Sequence, residues 1–153
     1  MSIQEEIQQN RPFERIEEEA LVSVARTSSV LERAMAVFLK PFDVTPTQYN
    51  ILRILRGSND SGLCRHEIAA RMITQVPDVT RLLDRMEEAG LIKRTRGIDD
   101  RRVVRTEITE KGSEMLDRIA PQLAEWQDRF ARELGVKDLE TLVQLLDRVR
   151  SLV

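Results

Sequence analysis

From Pro12 to Lys40 the apolar positions Ile16, Ala20, Val24, Leu31, Met35 and Phe38 recur at helical spacing, and Pro41 stops the pattern. Pro12 suits a first helical turn, where its missing N–H costs nothing. Such a helix would be roughly 40 Å long at ~1.5 Å per residue, too long for one small core to cover. Part of it is therefore expected to pack on another subunit. Thr45-Pro46-Thr47-Gln48 is a strong start signal: Thr45 as N-cap, Pro46 as first helical residue, Gln48 as the reciprocal capping-box partner. That helix carries Tyr49, Leu52, Ile54 and Leu55 and ends near Arg56-Gly57.

A short helix from about Arg65 to Met72 turns Ile68, Ala69 and Met72 inward. After a brief turn at Ile73-Thr74 a further helix is expected, with Pro77 in its first turn and an apolar stripe of Val79, Leu82, Leu83 and Met86. It ends at Ala89-Gly90. Leu91 to Arg96 and Arg102 to Ile108 are β-prone runs joined by Gly97-Ile98-Asp99-Asp100-Arg101, a hairpin long enough to protrude. Thr109 then caps a long helix bearing Met115, Ile119, Leu123, Trp126, Phe130 and Leu134, which Pro121 should bend. A last helix runs from about Asp138 with Leu139, Leu142, Val143, Leu146 and Val149. The pattern predicts a mainly α chain with a small β-hairpin. Two helices with a short turn, followed by a basic hairpin, are the layout of a winged helix-turn-helix, a module that lies on duplex DNA.

Composition narrows the setting. A chain of 153 residues, 41% hydrophobic and 33% charged, reads as one soluble, charge-rich helical domain. No apolar run approaches the ~20 residues needed to cross a bilayer, and the polar start MSIQEEIQQN lacks a signal-peptide core. A cytoplasmic location is the expectation. One Cys (Cys64) and one His (His66) leave no room for intrachain disulfides, and make a metal site or cofactor within one chain improbable.

The net charge of −2 argues against DNA until it is mapped locally. Residues 91–105 hold six cations (Lys93, Arg94, Arg96, Arg101, Arg102, Arg105) against Asp99 and Asp100, a local net charge of +4. Residues 1–19 hold Arg11 and Arg15 against six glutamates, a local −4. The first eleven residues read as a flexible or marginally helical arm. A phosphate backbone responds to charge within about a Debye length of ~8 Å, so the local basicity is what counts.

The second helix of the pair presents Gln75, Val76, Pro77, Asp78, Thr80, Arg81 and Arg85 as candidate DNA contacts. Gln suits adenine, Arg suits guanine, and Thr suits a thymine methyl or a phosphate. The competing reading is a solvated face on which Arg81 pairs with Asp84. Asp78 either selects cytosine or caps the helix. In the hairpin, Arg96, Asp100, Arg101 and Arg102 are candidates, because a carboxylate can orient an arginine for a narrow, electronegative minor groove. The plain alternative is an exposed ion pair worth ~0–1 kcal/mol.

The runs VTRLLDRMEEAGLIKR and DDRRVVRTEITEKG resemble those of the multiple-antibiotic-resistance regulator (MarR) family of transcription factors. The likeness in element order extends from Pro12 to the C-terminus, and its most specific part is the acid–x–Arg wing followed by Thr-x-Lys-Gly. It implies a homodimeric winged helix-turn-helix, usually a repressor on a palindromic operator, with Asp100 buttressing Arg102 at the minor groove and Arg101 near phosphate. It also implies residues 12–41 and 111–153 as dimerisation helices around a DNA-binding part at 45–110, all within a single domain spanning 1–153. Relatives release DNA on binding phenolic or aromatic acids, which makes Phe38, Tyr49, Arg53 and Met115 candidate effector walls, although they equally suit a core. Gln75-Val76-Pro77-Asp78 departs from the small hydroxyl residues usual there, leaving base preference open.

Cys64 at a helix N-terminus reads as a cap or small buried residue, with a redox switch as the alternative. No paired-carboxylate cleft, glycine-rich phosphate loop or nucleophile–base arrangement suggests an enzyme. The rival function is a winged-helix protein-interaction module without sequence-specific DNA binding.

Overall fold

The computed structural model describes residues 1–58, 62–96 and 103–152. Among the described residues, seven α-helices and one hairpin follow in order: α1 (Ile3–Glu6), α2 (Ile16–Leu39), α3 (Pro46–Arg56), α4 (Arg65–Arg71), α5 (Val79–Glu88), β1 (Ile92–Arg96), β2 (Val104–Ile108), α6 (Glu110–Leu134) and α7 (Val136–Arg150). A 3₁₀ turn, Lys40–Phe42, joins α2 to α3.

The amino-terminal arm holds one helical turn, closed by a capping box. The Glu5 amide donates to Ser2 Oγ at 3.3 Å and the Ser2 amide to Glu5 Oε2 at 2.9 Å. Arg26 Nε reaches back from α2 to Glu6 Oε1 at 2.7 Å, which ties the turn to the long helix. The long helix starts at Ile16 and not at Pro12, as the sequence suggested. Arg15 is extended and supplies no side-chain cap. The three acids Glu17, Glu18 and Glu19 instead occupy the first turn, where the helix dipole favours negative charge.

Thr45 caps α3 as expected: the Gln48 amide donates to its Oγ1 at 3.2 Å, and the Thr45 amide donates to Gln48 Oε1 at 2.9 Å. Thr109 does the same for α6, accepting from the Gly112 amide at 3.1 Å, while its hydroxyl donates to the Gly90 carbonyl at 2.7 Å. One threonine thereby fixes the end of α5 and the start of α6 together. Gly112 is buried in that junction. A Cβ there would sit 2.3 Å from the Leu91 carbonyl oxygen and 2.8 Å from Ile108 Cγ1, so only glycine fits. Pro121 lies inside α6 without ending it. The last helix begins at Val136, two residues before the expected Asp138. Gly135, at φ 77°, is the single residue between α6 and α7 and leaves no linker.

Two apolar clusters hold the chain. The larger joins Ile51, Leu52 and Leu55 of α3, Ile68 of α4, Leu83 and Met86 of α5, Ile92 of β1 and Leu116 of α6. The smaller joins Leu39, Phe42, Ile119 and Leu123. Half-buried Tyr49 and Met115 touch both. The antiparallel strands pair from Ile92↔Ile108 to Arg96↔Val104. A further bridge between Leu63 and Thr106, bonded in both directions at 3.0 and 2.8 Å, ties the hairpin to the segment before α4.

Candidate nucleic-acid interface

α4, α5 and the strands β1 and β2 meet around one cleft. α5 buries Val79, Leu83 and Met86, and the same periodicity leaves Thr80, Arg81 and Arg85 exposed. Asp78 is its N-cap. The carboxylate accepts from the Arg81 amide at 3.0 Å and lies 3.3 Å from Arg81 Nε. The sequence reading extended this helix back through Pro77. Because the Asp78 side chain captures the free Arg81 amide, the helix begins at Val79, and Gln75, Val76 and Pro77 lie in the preceding turn. Gln75 and Pro77 are exposed, whereas Val76 packs against the larger core. Arg81 pairs with its own cap and not with Asp84.

Two further residues shape this surface, Ile73 in the turn and Asn50 on α3. Ile73 is 86% exposed, an apolar side chain at the entrance to α5. Its amide donates to Asn50 Oδ1 on α3 at 3.0 Å, so Asn50 fixes the turn that α5 follows. The only signal available beforehand was an isoleucine between turn residues.

Among the described residues of the hairpin, most of the positive charge is answered from within the fold. Lys93 Nζ lies 2.8 Å from Glu107 on the facing strand. Arg94 Nη2 lies 2.6 Å from both Asp84 and Glu87 of α5, and Arg105 Nη1 lies 3.1 Å from Glu67 of α4. Hydrogen bonds from Glu87, and then from Asp84, hold the Arg94 guanidinium above its ordinary pKa against the opposing effect of burial. Three of the cations counted as local basicity thus meet acids that lie outside their own segment. Arg96 is exposed at the end of β1. Asp100, Arg101 and Arg102 lie outside the described residues.

Between α4, α5 and the hairpin runs a cleft of about 630 Å³, lined by Cys64, His66, Glu67, Thr80, Arg94, Arg105 and their neighbours. Cys64 is half-buried at the N-cap of α4. Its amide donates to Glu67 Oε2 at 2.8 Å and its thiol at 2.7 Å, and exposed His66 has Nδ1 3.0 Å from the sulfur. The Cys64 thiol, then the Cys64 amide, and more weakly Arg105 and His66, hold the Glu67 carboxyl below its ordinary value of 4.5; desolvation opposes them.

The four candidate effector residues do not line one described cleft. Arg53 Nη1 donates to the Tyr49 hydroxyl at 3.1 Å, with the guanidinium carbon 6.0 Å from the ring centre. Tyr49 and Met115 sit at the seam of the two cores. Phe38 packs among Phe42 and Trp126, at ring separations of 6.1 and 6.5 Å. Phe38 also lines a groove of about 420 Å³ along α2 with Val30, Arg33, Ala34 and Val37.

Comparison with known proteins agrees with this geometry. A sequence profile described as the MarR family matches residues 44–104. The chain is 30% identical to a solved MarR transcription factor from Planctomyces limnophilus, covering 89% of this chain and 98% of that one, with a TM-score of 0.66. A transcriptional repressor, CouR, solved bound to a 23-mer DNA duplex, superposes with a TM-score of 0.79 at 25% identity over 93% of this chain and 99% of that one. The homoprotocatechuate degradative operon repressor of Escherichia coli is 29% identical over 124 residues, 79% of this chain and 82% of the relative.

Proposed function

The chain belongs to the MarR family and is a DNA-binding transcriptional regulator; from that premise we propose that it acts as a homodimeric repressor on an inverted-repeat operator. The observation that carries the reading is the pairing of a capped helix, α5, whose outer face is Thr80, Arg81 and Arg85, with a hairpin anchored beside it. An α-helix of this kind fits the major groove with its first turns, and the turn residues Gln75 and Pro77 would lie at its entrance. Arg96 extends the contact along the hairpin. The minor-groove role falls to Arg102, oriented by Asp100, with Arg101 at phosphate, on the strength of the sequence resemblance.

Support for the dimer comes from what one chain leaves uncovered. α7 exposes Leu142, Val143, Leu145 and Val149; the end of α6 exposes Phe130 and Leu134; α2 exposes Leu21, Val24 and Leu31. Contiguous exposed apolar faces of this kind mark an interface. Two recognition helices related by a two-fold axis would sit about one DNA turn, ~34 Å, apart. An aromatic acid is the proposed effector class, with Arg53 offering charge and Phe38, Tyr49 and Met115 offering apolar contact. The kinship with a repressor of a phenolic-acid degradative operon supports that class. No helix among the described residues is long and apolar enough to cross a membrane, which suits a protein acting on cytoplasmic DNA.

The test is a selection of duplexes from genomic fragments, read for a palindrome, followed by titration of the enriched duplex. Arg81→Ala and Arg85→Ala should each weaken binding about tenfold and flatten the dependence of log affinity on log salt by ~0.9 per lost phosphate contact. Failure to enrich any sequence, with stable capture of a protein partner instead, would overturn the reading in favour of an interaction module.

A further inference from the structure

Arg94 stands in the middle of β1, paired across the strand with Thr106, and its side chain folds back onto α5. The Arg94 amide donates to Glu87 Oε1 at 3.0 Å, while Nε and Nη2 donate to Glu87 Oε2 at 2.8 and 2.6 Å. The same Nη2 lies 2.6 Å from Asp84 Oδ1. We propose that Arg94, Glu87 and Asp84 form a positioning clamp that sets the wing's angle to the recognition helix, and that Arg94 is not a phosphate contact. This rests on the DNA-binding reading above and assigns to that interface a part its basic charge alone would misplace.

Three observations support the clamp. The trio carries a net charge of −1, and the arginine side chain is the most hidden member, 24% exposed against 44% for Asp84 and 38% for Glu87. A phosphate approaching from solvent would meet the acids first. Glu87, which takes three of the four Arg94 contacts, lies six residues from Arg81 and two from Arg85, positions that do not share a helix face; only Asp84, three residues from Arg81, borders the outer face. The clamp therefore leaves most of the reading face free. Finally, the hairpin is already tied on its other side to α4 and the segment before it, through the Glu67–Arg105 pair and the Leu63↔Thr106 bridge. With that side fixed, the Arg94 contacts decide how the wing sits relative to α5.

The sign of one substitution separates the two roles. A duplex enriched by the wild-type protein serves as the probe, so that if the wild type selects no sequence the functional reading fails before the clamp is tested. If Arg94 touched phosphate, Glu87→Gln would remove a competing negative charge and tighten binding. If the clamp is correct, Glu87→Gln weakens binding about tenfold. Arg94→Gln should lose a similar amount, and the double variant should lose no more than either single one, because the groups act as a unit. Hydroxyl-radical footprints should lose protection in the minor groove under the wing and keep it under α5, a pattern that general destabilisation would not produce. Arg94→Lys, which keeps charge without the fork geometry, guards against a variant that does not fold. Unchanged or tighter binding by Glu87→Gln, or independent losses from the two single variants, would overturn the proposal.

Discussion

The winged region and the terminal helices use similar amounts of apolar sequence in opposite ways. Between Val44 and Leu116 the apolar side chains converge: Ile51, Leu52, Ile68, Met86 and Leu116 are almost wholly buried by contacts within the chain. In α7 no residue is buried, although Leu142, Val143, Leu145 and Val149 recur at helical spacing. The first region is a finished fold and needs no partner to close its core. The second has the pattern of a core helix without the core, and the proposed dimer rests on that feature. The division suits a regulator, because a rigid reader can be moved as a unit when the helices that carry it shift.

The sharpest way to break this contrast is to charge the open face. Leu142→Glu with Leu145→Glu should yield a folded monomer by sedimentation and lower operator affinity at least about a hundredfold, since each half-site is then bound alone. A dimer that persists would place the interface elsewhere. Next in size is the packing of the finished region. Gly112→Ala forces a methyl against the Leu91 carbonyl and should cost about 3 kcal/mol, read by urea unfolding. Gly135→Ala meets nothing within 4 Å and strains only the backbone, at φ 77° and ψ 155°, so about 2 kcal/mol is expected. Equal losses at the two glycines would erase the distinction.

A smaller effect is expected at Thr45, where replacement by Ala removes the cap of α3 and should cost about 1 kcal/mol. The smallest concerns pH. Glu67 titrates below its ordinary value of 4.5, so the carboxylate form is favoured in the folded chain. Its contribution is complete above that ordinary value and is lost as pH falls through the lower, folded-state value. Thermal melts of Glu67→Gln should therefore converge on wild type as pH drops below about 4.5 and differ from it at neutral pH. A constant gap across that range would mean that Glu67 acts through shape and not through charge.

Much of this could be read from the chain beforehand. The capping box at Thr45, the cap at Thr109, the glycine after α5 and the β-prone runs of the hairpin are local signals, written within four or five residues of where they act. Helix starts were less legible where caps are weak. Arg15 offers no cap, so nothing near Pro12 announces that α2 waits until Ile16. Asp78 was legible as a possible cap, but its rival role as a base contact left the start of α5 open, and Gln75, Val76 and Pro77 were placed on the helix when they precede it. The effector candidates fared differently again. Tyr49 and Arg53 meet because they are one helical turn apart, whereas Phe38 and Met115, distant in sequence, pack with Tyr49 against the smaller core only through tertiary folding.

Sequence alone determined the order of elements, their caps and the faces that avoid water, because periodicity and hydrogen-bond capture act between near neighbours. Only the tertiary structure decided which charges remain for a partner. Lys93, Arg94 and Arg105 looked like part of a basic surface until Glu107, Asp84, Glu87 and Glu67 were brought to within about 3 Å of them. The reason is physical: charge interactions depend on distance through space, and acids up to 38 residues away along the chain become neighbours only when the helices and the hairpin close around their core.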